Sequence, residues 1–395
     1  NDIIVRLIAE NKLHLFNLKN SDWIISLKPY FKKHTLLSAA LIAGFVGAIS
    51  QYIIIQFKDF PDYILKITYQ IWENNDVEAI RDYYADTPNV SLPTPTRSPS
   101  GVIYGADPVI ESTYASKKLF PDRTLLGEDV IWTGNDEEGY FSSHRILSTS
   151  THSVDGMYGK ATGKKLYYRT IADCACMNNQ VYDEWLVRDQ GAIVRQIGID
   201  PKKFASNLIK DEGGPEKASK PFDENTPVKS IYKSPILASG NIGELYANIL
   251  TSTMNINLEK TINDSYDRAI QQFQPGGNTH HGRDEVVKFW KQLRDAFPNA
   301  LFSVEHIAFT EEKYEPKKAS VRWSMLGKHE GDGLFGKASN SKIYIMGINH
   351  VEFGERGIKN EWVLYDETMI WKQILLKTGS VSYTHLRAHE TRGNL

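Results

Sequence analysis

The chain has 395 residues, 41% hydrophobic and 24% charged, which excludes disorder over most of its length and allows two or three domains of roughly 150 residues each. Forty-six Lys and Arg against 48 Asp and Glu leave a net charge of −2, so no global field draws nucleic acid, and nucleic acid is not expected as a partner. The two cysteines, Cys174 and Cys176, sit too close in sequence for an unstrained disulfide and lack the histidines of a zinc site, so they read as small buried residues.

Asn1 stands where an initiator methionine is usual, which reads as a piece of a longer reading frame. Residues 1–34 are a mixed segment. Residues 35–58 hold an uncharged run, Leu36 to Phe57, about as long as the ~20 residues that cross a bilayer. Ala40, Gly44 and Ala48 recur every fourth residue as a small-residue stripe. The expectation is an N-terminal apolar transmembrane helix and single-pass membrane localisation. Lys19, Lys28, Lys32 and Lys33 before the run weakly favour a cytoplasmic N-terminus, and the side stays open. The alternatives are a buried core helix, or a chimeric join near Phe60 and Pro61, which would leave a cytoplasmic protein.

Ile67, Ile71 and Trp72, then Val77, Ile80 and Tyr84, recur at helical spacing, with Asn74, Asn75 and Asp76 as the break. A second helix follows Gly105, with Asp107 as N-cap and Pro108 at its first position. After Phe120 and Pro121 the pattern changes to strands over 129–132, 140–148, 165–176 and 180–187. Helices followed by a strand meander predict an α+β module in which a curved antiparallel sheet wraps against helices.

That module is written twice. A shift of 177 places Gly105 on Gly282, Phe120-Pro121 on Phe297-Pro298, Arg145 on Arg322 and His152 on His329. It also places Gly156 and Gly159 on Gly333 and Gly336, Glu184-Trp185 on Glu361-Trp362 and Asp189 on Asp366. Matches bunched at Gly, Trp and charged positions without a gap indicate duplication. The domain expectation is module 1 over 62–205, a Pro-, Gly- and Lys-rich exposed linker over 206–240, and module 2 over 241–377. Residues 381–395 look like the translation of a sequencing adapter and are set aside as an artefact.

The strand carrying Glu184, Trp185 and Asp189, followed by Gln196 and Gly198, resembles the SnoaL-like polyketide cyclase family of the nuclear transport factor 2-like superfamily. Phe120-Pro121-Asp122, His152 with its glycines, and Ala161-Thr162-Gly163-Lys164 support it. The second copy departs at Ala338-Ser339-Asn340-Ser341, in place of the Thr-Gly turn. The resemblance implies two cone-shaped α+β barrels, each with a hydrophobic cavity at its open end. It also implies either cofactor-free aldol cyclisation or isomerisation of a small apolar or polyketide-like carbonyl compound, or ligand binding alone.

The family's acid/base aspartate falls on Asp189 and Asp366. A carboxylate walled by aromatics is kept protonated toward neutral pH, which suits removal of a proton beside a carbonyl. Trp185 and Trp362 lie on the same strand face as these aspartates and are expected to line the pocket. Arg145 and Arg322 are expected to pair with the aspartates or hold a developing oxyanion. An Asp/Arg pair would instead suit epoxide hydrolase-like chemistry. His152 and His329 are expected at the cavity rim, and Arg169 with Asp173, and His350 with Glu352, as pocket polar groups that differ between copies. No metal is expected, because His280, His281 and His306 lack a ligand pattern. A non-catalytic scaffold remains the rival reading, with modules pairing with each other or in a homodimer.

Overall fold

The computed structural model describes residues 59–84, 93–226 and 240–379. The expected N-terminal helix and the adapter-like tail lie outside these. The membrane expectation is corrected: no helix among the described residues is long and apolar enough to cross a membrane.

Module 1 opens with α1 (Phe60–Trp72), a short 3-10 turn and α2 (Ile80–Tyr83). A hairpin of β1 (Pro95–Ser98) and β2 (Gly101–Tyr104) leads to α3 (Ala106–Leu119). The meander is β3 (Thr124–Asn135), β4 (Gly139–Thr151), β5 (Lys165–Met177) and β6 (Gln180–Arg188), closed by α4 (Gln190–Ile197) and α5 (Pro201–Asp211). Module 2 repeats the plan: α6 (Ile242–Asn255), α7 (Leu258–Ser265), β7 (Tyr266–Gln274), β8 (Asn278–His281) and α8 (Arg283–Ala296). Then come β9 (Leu301–Thr310), β10 (Lys318–Lys328), β11 (Lys342–Gly354), β12 (Gly357–Tyr365) and α9 (Glu367–Thr378).

Each sheet has six strands, in the order β2-β1-β6-β5-β4-β3 and β8-β7-β12-β11-β10-β9. The sheets are mixed, not antiparallel: β1 runs parallel to β6, and β7 to β12. The helical crossover α3 or α8 carries the chain from the entry hairpin to the far edge, and the meander then returns to close against it. Sequence reading missed those hairpins because β1 is short and polar. It also put the cap of α3 at Asp107. The cap is Gly105, whose φ of +84 turns the chain into the helix, and Gly282 at +87 does the same for α8.

The departure at Ala338-Ser339-Asn340 leaves the loop geometry unchanged. Gly163 and Asn340 both take positive φ, a conformation Asn tolerates better than most side chains. Thr162 and Ser339 both place a hydroxyl 3.1 Å from the Nδ1 of His152 or His329. The interior of module 2 is filled by Trp290, Trp323, Tyr246 and Tyr266, all fully buried. Gly347 on β11 has no Cβ because the Trp323 ring occupies that space.

The two sheets pack face to face. One apolar cluster joins Ile171, Trp185 and Val187 of module 1 to Met346, Ile348 and Leu364 of module 2. The segment expected as exposed linker contributes to it, because Phe222 is buried between the sheets and its backbone N–H donates to Pro99.

Candidate functional site

Burying two sheet faces together requires that their polar side chains find partners across the seam. The Arg145 guanidinium lies 3.6 Å over the Trp362 ring, and that of Arg322 lies 4.1 Å over Trp185. Arg145 NH1 is 3.0 Å from His350 Nδ1, and Arg322 NH1 is 3.4 Å from Asp173 Oδ2. Since Asp173 and His350 are equivalent under the shift of 177, each contact is made twice with the modules exchanged, as in a two-fold interface.

Arginine can only donate, so His350 Nδ1 accepts and its Nε2–H donates to Ser143 Oγ at 2.7 Å. Burial and the Arg145 charge hold His350 well below the usual imidazole range, so it is neutral. Burial pushes the Asp173 carboxyl up, against the pull of Arg322. Glu128 is the extra residue of a bulge between Gly127 and Asp129, which turns two consecutive carboxylates to the seam. Glu128 accepts from Arg145 and twice from Arg169, and Asp129 pairs with Lys318.

Asp189 and Asp366 end β6 and β12 and cap the helices that follow. Asp366 accepts from the backbone N–H of Thr368 and Met369 and from the Thr368 hydroxyl. Asp189 accepts from Ala192 N–H within its own helix and from Gly276 and Gly277 N–H across the seam. Its counterpart turn in module 1, Pro99-Ser100, is one residue shorter than Pro275-Gly276-Gly277, as the registers Ser98 to Gly101 and Gln274 to Asn278 show. Burial pushes Asp189 up to about 7 even though the Gly276, Ala192 and Gly277 N–H groups oppose it. Burial likewise pushes Asp366 up to about 6 against the Thr368 and Met369 donors.

A cavity of about 230 Å³ opens beside Asp189 at the seam, walled by Tyr167, Arg169, Phe273, Gln274 and Trp362. Phe273 and Trp362 stack at 5.0 Å, and Arg169 lies 4.8 Å over Phe273. The space beside Asp366 is only about 10 Å³, room for little more than one water.

The structure thus gathers Asp189, Arg169 and Trp362 around one cavity. It places Arg145, Arg322, Trp185, Asp173 and His350 within the packed seam, where their partners include Trp362, Glu128, Ser143 and Phe222. His152 and His329 sit inside the glycine loops, holding a hydroxyl, and line neither cavity. Glu352 accepts from Asn360 Nδ2 at 2.7 Å near the end of β11.

Sequence reading missed Tyr167, Phe273 and Gln274, which belong to no motif. It also missed the buried carboxyl of Glu361, which accepts from Tyr246, Tyr266, Gln272 and Asn349 and braces the interior of module 2. Glu184, its counterpart, accepts from Tyr84 and Thr96.

Residues 245–374 match the model of the SnoaL-like polyketide cyclase family. No curated protein sequence matches the chain. Similar solved structures include a protein from Jannaschia sp. CCS1 assigned as a SnoaL-like polyketide cyclase, at 12% identity, covering 35% of this chain and 96% of that one, with a TM-score of 0.30. IdmH from Streptomyces antibioticus, assigned as a polyketide cyclase, gives 18% identity, 35% and 98% coverage and 0.30. AclR from Streptomyces galilaeus, assigned as a hydroxylase, gives 15%, 34% and 79%, and 0.28. The chain is thus a tandem of two sheet-and-helix modules of one plan, the second of which matches the SnoaL-like polyketide cyclase family over residues 245–374.

Proposed function

We propose that the chain performs cofactor-free proton transfer on a small carbonyl compound, an aldol closure or isomerisation, at one site with Asp189 as acid/base. The observation that carries this is the asymmetry of the two aspartates: Asp189 borders a cavity of about 230 Å³ and Asp366 one of about 10 Å³. A carboxyl held at about 7 is shared between its two protonation states at neutral pH, which suits it both to take a proton from carbon and to return it. Among the described residues Arg169 is the one cation on the wall; Glu128 answers part of its charge, and the rest acts on an enolate oxygen that forms as Asp189 takes the proton and becomes neutral. Asp/Arg chemistry of the epoxide hydrolase type finds less support, because Arg145 bonds Glu128 and His350 and Arg322 bonds Asp173.

The test is deuterium uptake from solvent at the α-carbon of a β-keto ester by the full chain. Asp189→Asn should lower the rate at least about a hundredfold, at the low end of what a positioned acid/base supplies, while Asp366→Asn leaves it within about twofold. Equal rates in the chain and in Asp189→Asn would end this reading.

A second reading, ligand binding without turnover, is favoured by the three N–H groups already engaged by Asp189. It predicts affinity without any exchange.

A further inference from the structure

The two cavities are the same place seen twice. Tyr344, Met346 and Asp366 around the small one are Tyr167, Arg169 and Asp189 around the large one under the shift of 177. The reciprocal Arg145–Trp362 and Arg322–Trp185 contacts fix this equivalence in space. What differs is that the chain fills one of them itself. Phe222 inserts its ring 5.9 Å from Trp185 and 5.3 Å from Tyr344. The equivalent position on the other side lies between Trp362 and Tyr167, and there no described residue fills the space.

We propose that the open cavity takes a neutral, single-ring aromatic molecule with a hydrogen-bond acceptor, of the aryl ketone class, seated as Phe222 is seated at the equivalent position. This rests on the ligand cavity assigned above and names what it holds. The size agrees, since a cavity of about 150 Å³ accepts benzene and this one is about 230 Å³, which leaves room for a substituent.

Charge narrows the class. The faces of Phe273 and Trp362 are already covered by the guanidinium groups of Arg169 and Arg145, so an ammonium ion would meet like charge. The Arg169 charge is already answered by a two-bond contact with Glu128, and Asp189 adds negative potential, so an anion gains little. Gln274 on the wall donates one amide N–H to Gln272, and among the described residues its second N–H is the donor available to a carbonyl oxygen.

The experiment is calorimetric titration of the full chain with acetophenone, benzoate and benzylammonium. Acetophenone should bind at one equivalent, and the two ions at least about tenfold more weakly. Leu147→Trp, which fills the open cavity from its wall, should abolish that binding. Phe222→Ala should raise the stoichiometry to two, and the double variant should return it to one. Absence of acetophenone binding to the unaltered chain, or benzoate binding as tightly, overturns the proposal, as does unchanged affinity in Leu147→Trp. Ring binding without deuterium exchange would refute the proton-transfer reading and leave this one standing. Exchange on an acyclic β-keto ester without ring affinity would do the reverse.

Discussion

Replacing Asp189 with Asn should flatten the dependence of folding stability on pH. Burial raises this carboxyl from an ordinary 3.8 to about 7, so the folded chain holds the proton more tightly than the unfolded chain does. The stabilisation from that proton is complete below the unfolded value and is lost as pH rises through about 7. At ~1.4 kcal/mol per tenfold change in proton affinity, ionisation between pH 5 and pH 8 lowers the free energy of the unfolded chain by roughly 4 kcal/mol and that of the folded chain by roughly 1.4. The difference, roughly 2.5 kcal/mol of stability lost over that interval, belongs to Asp189 and disappears in the amide, which does not titrate. Urea unfolding of both proteins at pH 5 and pH 8 measures it, and every other titrating group cancels in the comparison. Profiles that stay parallel within about 0.5 kcal/mol, an ordinary extrapolation error, would refute the reasoning. They would show that the Gly276, Gly277 and Ala192 N–H groups, not burial, set the charge of Asp189. Asp366, raised only to about 6, should account for less, roughly 1.4 kcal/mol over the same interval.

Gly347→Ala drives a methyl group into the Trp323 ring and should cost about 1–3 kcal/mol, read as a fall in the urea midpoint with an unchanged slope. Glu361→Gln replaces one acceptor oxygen by an NH2 group that faces existing donors from Tyr246 and Tyr266, or from Gln272, and should cost about 1–3 kcal/mol; a neutral result would show that the hydroxyls simply turn around. Arg145→Met strands the His350 Nδ1 acceptor in the seam and leaves Glu128 to Arg169 alone, at about 3 kcal/mol. The matched change at exposed Arg81, paired with Glu78 and Asp107, should cost under about 1 kcal/mol, and equal losses would mean that the seam is wet.

The repeat was legible in the sequence because duplication preserves the positions that backbone geometry constrains. Gly105 and Gly282 must reach positive φ, and Gly156, Gly159, Gly333 and Gly336 close the same small bridges. The α+β order was legible from the change of period after each Phe-Pro. The parallel pairing of β1 and β7 was not, because β1 is only four residues long and both strands are specified by partners far along the chain. The aspartates illustrate a different limit. A residue that ends a strand before a helix is chemically suited to capping and to acid/base work alike, and only the volume beside it separates the two. Alternation along β6 predicts one face for Trp185 and Asp189, but no periodicity says whether that face meets solvent, substrate or a second sheet, and the tryptophan on the cavity beside Asp189 is Trp362.

The seam also shows what tandem duplication permits that a homodimer does not. In a two-fold interface between identical chains, every contact occurs twice with the same residues, so a side chain that plugs one cavity plugs its mate. Here the halves are encoded separately. Asp173 has His350 as its counterpart, Met346 has Arg169, and the turn over Asp189 is a residue longer than the turn over Asp366. Among the described residues Phe222, from the segment between the modules, plugs one cavity and nothing plugs the other. That closure adds aromatic packing between Trp185 and Tyr344 that holds the sheets together. The seam is thus closed at one end and open at the other, and a ligand at the open end would meet two sheets already held in register by the packed end.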